Sequence, residues 1–156
     1  MLPIGLILIA LAIAAFIYEK LDERRNYIFN HNKKHTSQVV LKWCRQNMNK
    51  NQSKEMPELI LKYYTCKSKM GEYDFHGKVI TIWIGKSTSV ESLVSTIVHE
   101  FQHHLQLKDD CENELYNKLN SEYGYWKNPY EIDARNAEKK YTEKCIQYLI
   151  RKELIK

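Results

Sequence analysis

Between residues 79 and 105 an apolar, strand-like run feeds directly into an amphipathic helix, and this junction restricts the folds open to the chain more than any other stretch. In residues 79–84 only Thr81 interrupts the apolar side chains, which are mostly β-branched or aromatic. Such residues suit a pleated surface. Thr88 and Glu91 then stand three apart, the spacing of a helix-opening capping box. Val90, Leu93, Val94, Ile97 and Val98, continued by Phe101 and Leu105, recur at the helical period and predict about five turns. A strand that runs straight into a helix with an apolar back face points to an α+β fold.

Other elements are legible around this unit. Val39, Val40, Trp43 and Cys44 predict a helix over residues 35–49, and residues 49–57 read as a loop. Residues 58–65 are rich in β-formers, and two further β-type runs flank His76-Gly77, a predicted hairpin turn. Asp109-Asp110 is expected to end the histidine-bearing helix. A polar stretch with short helical signals follows to Asn120, and residues 121–129 read as a loop. Pro129 is placed to open a final helix, with Ala134, Ala137, Tyr141, Cys145 and Tyr148 along one stripe.

The N-terminus differs in kind. Residues 2–18 carry no charge over 17 positions, near the short limit for crossing a bilayer. A secretory signal peptide would have a basic region before Leu2, and none is present, although small residues at Ala12 and Ala14 imitate a cleavage site. A buried core helix is the other alternative. An apolar surface all round suits lipid better. Lys20, Arg24, Arg25, Lys33 and Lys34 follow the run, so the positive-inside rule places the C-terminal part in the cytoplasm. The expectation is a single-pass membrane protein: an anchor at 1–20, a juxtamembrane helical segment at 21–57 that continues the first helix over residues 20–34, and one folded domain at 58–156. Export with a cleaved signal peptide is the alternative. Cys44, Cys66, Cys111 and Cys145 form no close pair, which reads as thiols in a cytoplasmic domain, though an even count would permit disulfides outside. The net charge of +5 shows no basic stripe interleaved with aromatics, so no nucleic-acid partner is expected.

Chemistry concentrates at His99-Glu100-Phe101-Gln102-His103. Histidines four apart on a helix point the same way, so both can bind one Zn²⁺. Glu100 follows the first histidine and faces a water on the metal rather than the metal itself, the H-E-x-x-H pattern of zinc peptidases. His104 lies well round the helix, and His31, His35 and His76 have no partner at metal spacing. A catalytic zinc takes a third protein ligand. Asp109 and Asp110 sit at the end of the helix, away from the ligand face. Residues 128–138, NPYEIDARNAE, are the better source, with Glu131 first and Asp133 and Glu138 as alternatives.

These two stretches carry a resemblance. The chain looks like a small zincin metallopeptidase of the gluzincin kind, with HEFQHHLQ resembling the active-site helix and NPYEIDARNAE the glutamate helix. In the membrane-bound peptidases that include the heat-shock and CaaX-prenyl-protein proteases, the second motif runs Glu-x-x-Ala-Asp. Glu131, Ile132, Asp133 and Ala134 match its first four places, and Arg135 stands where the aspartate would be. The resemblance covers residues 58–148. It implies a minimal zincin domain: a three-stranded sheet, an active-site helix and a glutamate helix. It further implies Zn²⁺ on His99, His103 and Glu131, Glu100 as general base, and a protein or peptide substrate. His104, Tyr123 and Tyr125 are candidates for oxyanion support. Residues 79–84 resemble the edge strand that pairs with substrate in such enzymes, while their apolar character fits a core strand equally well. The competing expectation is a membrane-tethered zinc-binding module that cleaves nothing.

Overall fold

A computed structural model describes residues 27–48, 55–64, 69–85 and 88–156. The expected membrane segment at 2–18 and its basic flank at Lys20, Arg24 and Arg25 lie outside these residues, as does Cys66. Among the described residues no helix is long and apolar enough to cross a membrane. The architecture is α+β, with four α-helices and a three-stranded sheet among the described residues. In chain order these are α1 (Lys33–Met48), β1 (Glu58–Lys62), β2 (Gly71–Asp74), β3 (Val79–Trp83), α2 (Val90–Gln106), α3 (Asp110–Tyr123), a single 3₁₀ turn (Tyr125–Lys127) and α4 (Pro129–Arg151).

The sheet order is β1-β3-β2, with β1 parallel and β2 antiparallel to β3. This corrects the expectation that residues 79–84 form the edge strand. Ile80, Ile82 and Trp83 are buried, and a run apolar on both faces marks a strand with neighbours on both sides. The edge nearest the histidine helix is β2 instead. Its hairpin turn falls at His76-Gly77 as expected, held by the His76 N–H donating to Asp74 Oδ1 at 3.0 Å.

Helix α2 packs its stripe of Val90, Leu93, Val94, Ile97, Val98 and Phe101 into the centre of the core. Full burial of each such side chain is worth about 1.5–3 kcal/mol. Its cap is Ser89, whose hydroxyl accepts from the Ser92 N–H, one residue later than the expected Thr88/Glu91 box. Thr88 instead closes a turn onto the Gly85 carbonyl. The helix ends at Gln106. Asp109 caps the next helix, accepting from the Glu112 N–H, rather than terminating α2. The polar stretch that followed in the sequence is one regular helix, α3, with no buried residue.

The described part of the segment expected as juxtamembrane belongs to the same body. Val40, Leu41, Trp43 and Cys44 of α1 join the core made by α2 and α4. Residues 27–32 do not continue a helix, as had been expected. Phe29 bridges Ile155, and Ile28 exchanges backbone hydrogen bonds with Lys156, tying this segment to the C-terminus. Cys44 and Cys145 are buried thiols and Cys111 is an exposed one. Burial pushes Cys145 up to about 12.

Candidate metal centre

Helix α2 buries a second, polar face. His99, Glu100 and His103 are all nearly inaccessible to solvent. Against them stands Glu131, 1% exposed, on the first turn of α4. Local chemistry fixes that turn. Asn128, fully buried, caps α4 by accepting from the Tyr130 N–H at 3.0 Å, and its amide donates to the Tyr116 carbonyl of α3. Pro129 occupies the first helical position, where its missing N–H costs nothing.

The Nε2 atoms of His99 and His103 are 3.1 Å apart. His99 Nε2 is 3.3 Å from Glu131 Oε2, and His103 Nε2 is 3.3 Å from Glu131 Oε1. Four ligands at 2.0–2.1 Å from a tetrahedral zinc would stand about 3.3–3.4 Å from one another. These separations are of the size a metal imposes, with the two Glu131 contacts falling on different oxygens of its carboxylate. Glu131 Oε2 is buried and accepts no hydrogen bond. A buried carboxylate with Oε2 beside His99 Nε2 and Oε1 beside His103 Nε2 is a donor set that a bound cation would satisfy. His99, His103 and Glu131 could hold a metal ion, and the residues present fit one.

A second layer orients the rings. His99 Nδ1 meets Glu138 Oε1 at 2.5 Å, and His103 Nδ1 meets Gln106 Oε1 at 3.1 Å. Gln106 in turn donates from Nε2 to the Tyr130 carbonyl. Both partners are acceptors, so each ring's Nδ1 carries a proton, and Nε2 is the atom each ring turns to the cluster. Tyr116 donates to Glu131 Oε1 at 2.8 Å, and its ring stands edge-on to His103.

Electrostatics follow from this packing. Burial alone would lower His99, but the adjoining carboxylates of Glu131 and Glu138 outweigh it and raise the metal-free ring to about 9. Burial likewise acts to raise Glu131, and the adjoining imidazoles of His103 and His99 overcome it, holding the carboxyl well below its usual range. Glu100 is pushed up to about 6, chiefly by burial, against the pull of His99 and His103.

The cluster forms one wall of a cleft of about 960 Å³. Its lining also includes residues 69–76, with all of β2, and Tyr125, Trp126 and Arg135. Gly71 presses on Glu100 so closely that a Cβ there would lie 2.8 Å from Glu100 Cγ.

Of the residues singled out in the sequence, His99, Glu100, His103 and Glu131 converge, and Tyr125 lines the same cleft. His104 does not. It faces Tyr73, whose hydroxyl is 3.1 Å from its Nδ1, because five residues past His99 is more than a third of a turn off the ligand face. Tyr123 is exposed at the end of α3, away from the cleft lining. Of the alternative ligands, Asp133 is exposed, and Glu138 backs His99 instead of joining the cluster. Sequence reasoning missed Tyr116, Gln106 and Gly71. Gln106 was within reach, since it lies three residues after His103 on the same face. Compared with known proteins, the chain matches no protein family, no curated protein and no solved structure.

Proposed function

We propose that the chain is a zinc-dependent metallopeptidase that hydrolyses peptide bonds. The observation that carries this reading is the cluster of His99, His103 and Glu131, with the two Nε2 atoms 3.1 Å apart and each 3.3 Å from one oxygen of Glu131, set beside buried Glu100 in an open cleft. A zinc ion in that cluster would act as a Lewis acid and lower the pKa of water towards about 7.

The chain's own residues do the remainder. Glu138 and Gln106 keep the two imidazoles turned with Nε2 inward. Tyr116 fixes one oxygen of Glu131 and leaves the other free. A Glu100 carboxyl raised to about 6 is mostly ionised at neutral pH and more basic than an ordinary carboxylate. It takes a proton from the attacking water and returns it to the leaving amine. A site that served only to stabilise the fold would not need that carboxylate buried in the cleft. An extended peptide would pair with the outer edge of β2, which borders the cleft, and lie across from Glu100.

The test uses the full-length chain and two variants. Wild type is expected to carry one zinc per chain, and Glu131→Ala to lose it. Glu100→Gln is expected to keep zinc and to cleave a quenched-fluorescent peptide library about 10²- to 10⁴-fold more slowly. A Glu100→Gln protein that cleaves at the wild-type rate would sink the assignment. Absence of zinc from the wild type would remove its basis.

A further inference from the structure

Arg135 stands where the resemblance called for an aspartate, yet the supporting carboxylate is already supplied by Glu138, on the same helix face two turns past Glu131. Arg135 is thus not needed to support His99; it pairs loosely in charge with Glu131, and its setting is specific. Its Nη2 donates to the Trp126 carbonyl at 2.7 Å. Its guanidinium carbon lies 5.7 Å from the Tyr125 ring centroid and 5.3 Å from that of Trp126. The fork therefore rests against two aromatic rings and is tied at one nitrogen. The other nitrogen, Nη1, is buried in the cleft wall and makes no hydrogen bond. Glu131 Oε2, 3.9 Å away, is beyond hydrogen-bonding reach.

A buried charged donor without an acceptor is costly, and it calls for a partner. The partner cannot be a second cation, and the position lies one helical turn from a metal ligand. A guanidinium lining the same cleft as the candidate metal ligands, with a donor still unsatisfied, favours an anionic oxygen brought into that cleft.

We propose that Arg135 is a catalytic residue. Its Nη1–H donates to the carbonyl oxygen of the scissile peptide and stabilises the negative charge that develops there as water adds. The inference rests on the peptidase reading above. It also gives Tyr125 and Trp126 a task, since the two rings keep the fork from swinging out of the cleft.

The test is an equilibrium measurement on the full-length chain loaded with Co²⁺, using inorganic phosphate as the anionic probe and the visible cobalt bands as the readout. Arg135→Ala is expected to bind cobalt as tightly as wild type or more tightly, because a neighbouring cation is gone. Its phosphate affinity should fall about 10- to 100-fold, the worth of a charged hydrogen bond. Arg135→Lys, which keeps the charge on an unforked side chain, should recover part of that loss. Phosphate affinity within threefold of wild type in the cobalt-loaded Ala variant would overturn the role of Arg135 and leave the peptidase reading standing. Loss of cobalt from the Ala variant would make Arg135 a structural prop and overturn it too. No cobalt in the wild type would bring down the metal reading itself, and this inference with it.

Discussion

The two faces of helix α2 are buried to a similar degree and held in different ways. One face, with Leu93, Val94, Ile97, Val98 and Phe101, meets the sheet and the neighbouring helices with no polar atom to satisfy. The other, with His99, Glu100 and His103, needs a partner for each nitrogen, and the fold supplies Glu138, Gln106 and Glu131 individually. Apolar burial asks for volume and shape, and many neighbours share the work. Polar burial asks for particular atoms at particular distances. The first face should therefore govern stability and the second metal affinity, with little crossover.

That separation can be tested from both sides. Ile97→Ala, at a site fully removed from solvent, is expected to cost about 2–5 kcal/mol in urea unfolding. The variant that remains folded should bind zinc within a few-fold of wild type. Glu138→Gln is the converse. It removes the charge from the acceptor of His99 Nδ1 at a position already about one third open to water, so unfolding should barely change. Zinc affinity, by chelator competition, should fall about 10- to 100-fold. Large crossover in either variant would mean that the two faces are one cooperative unit.

The two faces also differed in how far the sequence disclosed them. The apolar face could be read from period alone, because burial repeats every three to four residues whatever lies opposite. The His99-Glu100-His103 set could be read because a metal demands those residue types at that spacing. What lay opposite was harder. Glu131 could be nominated, since the chain reverses at Gly124 and Pro129, but Asp133 and Glu138 carried the same chemistry, and only packing separates a ligand from its support. Tyr116 lies on a helix whose residues are all at least partly exposed, so no burial period announces it. The central place of β3 was written in its apolar run. That signal was read as resemblance to an edge strand, where a strand apolar on both faces argues for the interior of a sheet.

A pH series sharpens the contrast further, because the apolar face has nothing to titrate. The metal-free His99 is raised to about 9, above its ordinary 6.5, by Glu131 and Glu138 acting against burial. A raised folded-state value means that protonation stabilises the metal-free protein. This contribution is complete below 6.5 and is lost as pH rises through about 9. A metal competes with that proton for Nε2. Apparent zinc affinity should therefore climb about tenfold per pH unit across the window and flatten above it. The melting temperature of the metal-free protein should fall over the same range while that of the zinc-loaded protein does not. A flat affinity profile would show that no proton leaves His99 on binding.

The smallest expected effect lies where the polar face meets the sheet. A Cβ at Gly71 would lie 2.5 Å from Thr96 Cγ2 and 2.8 Å from both Cγ and Oε1 of Glu100. Atoms cannot remain that close, so Gly71→Ala must move either β2 or the Glu100 side chain. The metal ligands take no part in that contact. Zinc affinity should stay within threefold of wild type, while peptide hydrolysis falls a few-fold to about tenfold, short of the roughly hundredfold that a full ångström of misplacement can cost. Because the clash falls on Thr96 and Glu100 and on none of His99, His103 and Glu131, loss of rate with metal retained would separate the placing of Glu100 from the holding of the ion. Equal loss of both would show that β2 supports the whole cluster, and that the sheet belongs with the polar face as much as with the core.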